Sequence, residues 1–142
     1  MRKKIALFLR IKRERRELLV FGFFLSIYAY FLFKYNKKNA RFGRKNKLVY
    51  PTSSVEIAAI YDIRFVIRVL TKNIPWEFMC RHQAWVVGFL LLKHQIPFTV
   101  FVGFKKNPTG VIEGHAWTIA QDVLVSGFCN PSEYTIQATY TG

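Results

Sequence analysis

The chain has 142 residues and a formal net charge of +14, which allows one compact domain of about 100 residues with an extension and excludes a second catalytic domain. The charge is uneven: residues 1–47 contain 15 Lys or Arg against Glu14 and Glu17, whereas residues 48–142 contain 7 against 6 acids. We therefore divide the chain into a basic, apolar N-terminal segment, 1–47, and a nearly neutral domain, 48–142, where the chemistry is expected.

The first predicted element is a helix over the charge-free run from Leu18 to Phe33. These 16 residues are fewer than the ~20 that span a bilayer as a helix, although flanking Lys and Arg side chains extend the reach. Basic residues lie on both sides and set no orientation. Three placements stay open: a membrane anchor, an interfacial helix or hairpin on an anionic leaflet, and a buried helix packed on the following domain.

The placement of basic residues, cysteines and histidines indicates which partners, compartment and cofactors to expect. The basic residues flank the apolar run and do not alternate with stacking aromatics on a sheet, so we expect no nucleic-acid partner. No cleavable secretion signal is evident, and the two cysteines, Cys80 and Cys129, are expected to be reduced in the cytoplasm. The three histidines do not pair with the cysteines at zinc-ligand spacings, so neither a metal nor another cofactor is expected.

Two helices are predicted next, near residues 53–71 and from Trp76 to Lys93. The second is apolar all round and must be buried. If it starts at Trp76, Cys80 lies in its first turn, where free backbone N–H groups and the helix dipole favour a thiolate. The alternative for Cys80 is a small buried apolar residue. His82 lies two positions further and is expected on the surface.

After Pro97 the pattern changes to that of strands. We predict strands over Phe98–Phe104, Gly114–Ala120 and Val123–Ser126, with a two-residue turn at Gln121 and Asp122. A buried helix that carries a cysteine, packed against a small antiparallel sheet, is an α+β arrangement.

The second strand carries a histidine in an apolar setting. His115 shares a face with Trp117 and Ile119 because side chains alternate along a strand. A hydrogen-bonded core histidine is one interpretation. The other pairs His115 with Cys80, because a neighbouring imidazole lowers a thiol pKa and then serves as general base. We predict that the two side chains converge as nucleophile and base.

Four strings read together carry a resemblance to a known family. They are Pro75–Ala84, Leu90–Pro97, Val102–Gly103 and Gly114–Trp117, and they contain Cys-x-x-Gln-Ala, Ile-Pro before a strand, and His-Ala-Trp. Their order and spacing resemble the leader peptidase (B protein) family of lasso peptide biosynthesis, which has a papain-like or transglutaminase-like core. The resemblance covers roughly residues 60–140.

The resemblance implies a cytosolic cysteine peptidase that removes the leader from a ribosomally made lasso precursor. It implies two further partners, a separate leader-recognition protein and an ATP-dependent macrolactam synthetase. Cys80 becomes the nucleophile and His115 the general base and then acid, with the backbone N–H of Cys80 as a natural oxyanion donor. Two alternatives remain: another papain-like amidase or acyl transferase, and a non-enzymatic membrane-associated adaptor.

The third catalytic residue is where the chain departs from the family pattern, which expects an Asp on or after the next strand. Asp122 is the nearest acid, but it lies about 20 Å from His115 along an extended strand. If the chain turns tightly at Asp122, the residues facing His115 are near Gly127 and Phe128, and Asn130 is the closest suitable polar residue. We favour Asn130 over Asp122, because an Asn can orient an imidazole by accepting its N–H.

Overall fold

The computed structural model describes residues 8, 10–36, 41–43 and 54–142, with only the backbone of 54–56. The described part contains three helices and one four-stranded antiparallel sheet, which confirms the predicted α+β class. The elements are α1 (Arg13–Tyr35), α2 (Ser54–Asn73), α3 (Cys80–Lys93), β1 (Thr99–Lys106), β2 (Ile112–Ala120), β3 (Val123–Ser126), a 3-10 turn (Pro131–Glu133) and β4 (Thr135–Thr141). The helices α2 and α3 pack against the sheet, and α1 packs on both of these helices.

Helix α1 is longer than the charge-free run because its first turn includes charged residues, with an ion pair between Arg13 and Glu17. By length and composition it is able to cross a membrane. One of its faces is nonetheless buried: Leu19, Gly22, Leu25, Ser26, Ala29 and Phe33. The boundary predicted between residues 47 and 48 lies outside the described residues, and the division of the chain there stays a prediction.

Helix α3 begins at Cys80 and not at Trp76. The residues between α2 and α3 are non-helical, because Pro75 disfavours helical geometry in the residue before it. Met79 is extended and forms the N-cap. The later start places Cys80 at the first helical position. Most of the rest of α3 is buried, as its apolar sequence predicts.

His82 is buried, so the expectation that it lies on the surface is wrong. It is only 2% exposed, and its ring meets that of Phe33 edge to face at 5.0 Å. Its Nδ1 accepts the backbone N–H of Met79 at 3.0 Å, which satisfies a donor that the start of a helix leaves free. Beside it, the Gln83 side chain donates to the carbonyl oxygen of Phe78 at 2.9 Å. Both contacts fix the segment that leads into Cys80.

The sheet has the strand order β3-β2-β1-β4. The tight turn at Gln121 and Asp122 is confirmed, with φ values of 45° and 60° that suit a two-residue hairpin turn. Strand β4, which we did not predict, pairs with the outer edge of β1. Strand β3 pairs with β2 only at Thr118–Ala120. The loop that follows β3 therefore passes beside the first half of β2, where His115 lies.

Candidate active site

The fold brings Cys80 and His115 together. Helix α3 packs against β2, so the first residue of the helix meets the middle of the strand. The thiol and the imidazole are within hydrogen-bonding reach, and both line one cavity. The 34 residues that lie between them in the chain are thus bridged by helix-on-sheet packing. Their catalytic roles stay predictions, since the geometry alone does not test them.

The electrostatics of the pair favour the charged form. Burial raises the pKa of the Cys80 thiol, but the hydrogen bond to His115 and those to the backbone of Ala116 and Arg81 outweigh it, so the pKa is lowered. The hydrogen bond to Cys80 is the main reason that the pKa of His115 is raised, with burial opposing it. Both shifts favour thiolate and imidazolium over the neutral pair. Cys80 therefore has the electrostatic surroundings of a nucleophilic cysteine.

The second nitrogen of the imidazole is held by the backbone. His115 Nε2 lies 3.0 Å from the carbonyl oxygen of Gly127. Because a carbonyl oxygen only accepts, Nε2 carries the proton and Nδ1 is left for the sulfur of Cys80. The Gly127 carbonyl thus fixes the tautomer and orientation that a general base needs.

The conformation of Gly127 explains how its carbonyl reaches the imidazole. Its φ is +65°, in the left-handed region that glycine adopts without strain. A Cβ here would collide with the carbonyl oxygen of Ala116 and the Cα of Trp117. Only a glycine lets the chain pass this close to β2 directly after β3.

Among the described residues, neither sequence-predicted third residue is hydrogen bonded to His115, so the structure does not bring them together with the imidazole. Asn130 is exposed and caps the 3-10 turn, where its side-chain oxygen accepts from the hydroxyl of Ser132 and its nitrogen donates to Glu133. Asp122 is exposed in the turn between β2 and β3. The hydrogen bond to His115 that we expected from a side chain is made by the main-chain carbonyl of Gly127. Residue type does not predict such a contact, because every residue has a carbonyl.

Sequence reasoning also missed the residues that hold the other side of the imidazole. The ring of Tyr134 stacks on His115 with centroids 5.3 Å apart, and it contacts Trp117 at 5.5 Å. Lys105 lies over the Tyr134 ring and forms an ion pair with Glu133 at 3.1 Å. Tyr134 stands just before the unpredicted strand β4, so no strand pattern pointed to it.

The cavity at the pair has a volume of about 710 Å³, within the usual range for a ligand site. Its wall is mainly apolar, and the larger apolar side chains are Phe33, Phe42, Val102, Phe104 and Ile112. Arg81 supplies a cation beside Cys80, with its guanidinium 5.7 Å from the ring centre of Phe33. Such a cavity suits an uncharged segment of a substrate next to the thiol.

Two residues near Cys80 in the chain, Gln83 and Trp76, carry side-chain N–H groups but lie outside this wall. The Gln83 amide is used in the bond to Phe78. The indole nitrogen of Trp76 is buried without a hydrogen-bond partner among the residues that the structure describes, but Trp76 does not line the cavity. The free N–H groups at the start of α3 remain candidate oxyanion donors beside the sulfur.

A thiol at a helix start, paired with an imidazole on an antiparallel strand, is typical of papain-like and transglutaminase-like cysteine enzymes. The comparison with family models agrees. The model described as "Transglutaminase-like superfamily" matches residues 32–139, about three quarters of the chain. The chain therefore belongs to the transglutaminase-like superfamily, whose members are generally Cys-His(-Asp) enzymes. No curated protein and no solved structure matches the chain.

The match begins within the last turn of α1, so Phe33 of the cavity wall belongs to the matched segment. The class fits either a cysteine peptidase or an acyl transferase. Among the described residues, no group of three His, Cys, Asp or Glu side chains is arranged to hold a metal ion.

The position of Asn130 at the cap of the 3-10 turn allows a test of whether it orients His115. Asn130→Ala is expected to lower the free energy of unfolding by about 1 kcal/mol, because it removes a cap. It is expected to leave the rate of substrate hydrolysis within about threefold, because the Asn130 side chain is not bonded to His115. Thermal unfolding and substrate hydrolysis measure the two effects. Asn130→Ser, which keeps a capping oxygen, is the control. Loss of hydrolysis without loss of stability would restore Asn130 as the orienting residue.

Proposed function

We propose that this protein is a cysteine peptidase that removes the leader peptide from a ribosomally synthesised lasso precursor. The observation that carries the proposal is the Cys80 thiol at the first position of α3, hydrogen bonded to His115 in an apolar cavity. The proposed partners are the precursor, a separate leader-recognition protein and a macrolactam synthetase. The proposed location is the cytoplasm, with attachment to the cytoplasmic membrane through residues 18–33.

Three of the four strings that carry the family resemblance contribute residues to this cavity, which supports the proposal. Met79, Cys80 and Arg81 come from the first string, Val102 and Gly103 from the third. The fourth string contributes Gly114, His115 and Ala116, which line the same wall. Residues from three distant stretches thus share one site. A resemblance built from residues scattered over the surface would not have this property.

The reaction follows from the arrangement of the pair. Sγ of Cys80 attacks the carbonyl carbon of the scissile peptide bond, and the oxyanion is met by free N–H groups at the start of α3. The imidazolium of His115 then gives its Nδ1 proton to the leaving amine as the C–N bond breaks. Finally the neutral imidazole takes a proton from water, whose oxygen attacks the thioester and frees the enzyme. The Gly127 carbonyl holds the ring during both transfers.

The proposal is tested with the precursor and the recognition protein encoded by neighbouring genes. The full chain is incubated with both, and mass spectrometry follows release of the free leader. Cleavage is expected with the unaltered chain and with Cys129→Ala, and none with Cys80→Ala. Cys129 is a matched control because it is the same residue type, also partly buried, and outside the cavity wall. Cleavage by Cys80→Ala contradicts the proposal.

An added primary amine separates the peptidase from the acyl transferase alternative, which the superfamily match supports equally. A peptidase gives mainly the free carboxylate, because water captures the thioester. An acyl transferase gives mainly the amide of the added amine. If neither product forms although Cys80 is alkylated normally, the non-enzymatic adaptor becomes the better assignment.

A further inference from the structure

Helix α1 exposes a stripe of large apolar side chains along the face that points away from the protein. We name it the outer stripe, and its members are Val20, Phe24, Tyr28, Phe31 and Tyr35. Spacings of three and four residues place them in one line on a helix. Phe24 is 62% exposed and Tyr35 is 73% exposed. Contiguous aromatic surface of this kind is uncommon on a monomeric protein that stays in water.

The stripe continues onto α3. The ring of Tyr28 lies 5.5 Å from that of Trp85, and Trp85 stacks on Phe89 at 5.8 Å. Phe89 is itself exposed. The apolar surface therefore extends from one helix to its neighbour.

The opposite face of α1 is part of the core, which conflicts with a membrane-spanning placement. Leu25 and Ala29 belong to the same buried cluster as residues of α2 and α3. Gly22 packs closely on α2, since a Cβ there would lie 3.0 Å from Val66 Cγ1. Arg15 is paired with Asp62 of α2. To span a bilayer, α1 would have to leave this packing and expose the faces of α2 and α3 that it covers.

Charge surrounds the outer stripe at both ends. The described basic residues at or just before the start of α1 are Arg10, Lys12, Arg13, Arg15 and Arg16. Lys34 lies near its end, with its ammonium over the rings of Tyr30 and Tyr35. The only acids on α1 are Glu14 and Glu17, and Glu17 is paired with Arg13. An aromatic stripe bounded by cations matches an anionic lipid surface, where rings enter the headgroup region and cations meet phosphates.

We propose that α1 lies flat on an anionic bilayer, with the outer stripe in the headgroup and acyl boundary and the opposite face in the protein core. The mode of attachment is therefore interfacial and not spanning. Phe33, on the inner side of the last turn, lines the cavity of Cys80, so α1 contributes to the cavity wall through the face opposite to the outer stripe. The inference concerns binding and does not depend on the proposed peptidase activity.

The test uses the purified full chain and sedimentation with vesicles of two compositions, phosphatidylcholine alone and phosphatidylcholine with phosphatidylglycerol. Binding is expected to the second and to be weak for the first. It should fall several-fold between about 50 mM and about 500 mM NaCl, since salt screens the cationic contribution. The double variant Phe24→Ser with Phe31→Ser should lose about tenfold or more of its vesicle affinity.

A matched double variant controls for the loss of exposed apolar residues in general. Val111→Ser with Ile136→Ser alters two residues of similar exposure that lie far from α1 in the chain, and it should bind like the unaltered chain. Circular dichroism verifies that both variants are folded. Equal binding by the two double variants overturns the proposal.

Two further results would also overturn it. Membranes of cells that express the chain are washed with alkaline carbonate, which releases an interfacial protein; retention in the pellet would show that α1 spans the bilayer. Absence of vesicle binding, together with capture of a protein partner that Phe24→Ser with Phe31→Ser abolishes, would assign the stripe to a protein interface. Release by carbonate together with the lipid dependence above supports the flat placement.

Discussion

Replacement of His115 by Ala is expected to lower precursor hydrolysis by about 10²–10⁴-fold, the usual contribution of a positioned acid and base. The variant leaves the thiol of Cys80 in a partly buried site without the hydrogen bond that lowers its pKa. Burial still raises the pKa of Cys80 and the contribution of His115 that lowered it is lost, so the pKa of Cys80 rises relative to the unaltered chain. Hydrolysis measured at saturating precursor gives the loss in kcat.

The pKa of Cys80 can be followed without any substrate. The rate of alkylation by iodoacetamide reports the thiolate fraction, and in the unaltered chain its acid limb lies below that of an ordinary thiol because the pKa of Cys80 is lowered. In His115→Ala the limb moves to higher pH. Cys129, whose pKa is raised chiefly by burial and least by Cys80, is an internal reference whose profile should move much less than that of Cys80, and peptide mapping separates the two sites. An unchanged profile for Cys80 contradicts the proposed pair.

The same pair predicts the pH dependence of hydrolysis. The active form needs a thiolate on Cys80 and an imidazolium on His115. It is lost in acid when the thiolate takes a proton, and in base when the imidazolium loses one. Since the pKa of Cys80 is lowered and that of His115 is raised, the acid limb of the bell lies below the ordinary pKa of a thiol. The basic limb lies above the ordinary pKa of an imidazole.

Gly127→Ala is expected to reduce both stability and hydrolysis. A positive φ at an alanine costs about 1–3 kcal/mol, and the collision with Ala116 and Trp117 displaces the backbone further. The carbonyl that holds His115 Nε2 moves with it, and a displacement of about 1 Å in a catalytic group costs about 10²-fold in rate. Thermal unfolding measures the loss of stability. Hydrolysis, measured well below the unfolding midpoint of the variant, measures the loss of activity.

Gly114→Ala is the matched control for the stability part of this prediction. Gly114 lies on β2 directly before His115, but a Cβ there meets no atom within 4 Å, so its midpoint should stay close to that of the unaltered chain. If Gly127→Ala stays folded and keeps the alkylation profile of Cys80 and full hydrolysis, the Gly127 carbonyl is not the group that orients the imidazole.

Burial patterns explain why the helices and most strands were predictable. Apolar residues at helical spacing placed α2, and an unbroken apolar run indicated that α3 is buried. Strand β3 and the turn at Asp122 agree with the prediction because left-handed turn residues between β-branched runs are a strong local signal. Strand β4 was missed because it is mostly exposed or half-buried, so no face of it is consistently apolar.

The candidate site likewise has a part that the sequence predicted and a part that it did not. Cys80 and His115 were recognisable as a pair because few residue types perform this chemistry and their order in the chain suits it. The sequence also indicated that residues near Gly127 face His115, but the search there was for a polar side chain and settled on Asn130. The structure uses a main-chain carbonyl, which every residue possesses.

The sequence alone determined the class of fold, the choice of Cys80 and His115 as the candidate pair and the uneven distribution of charge, because residue type, spacing and charge are local properties of the chain. Tertiary structure decided what orients His115, where α3 begins, and which face of α1 is covered. These depend on the direction of one carbonyl, on a cap made by His82, and on packing between distant helices. The carbonyl contact and the helix packing join parts of the chain that meet only after folding, and the local cap of His82 is itself covered by Phe33 of α1.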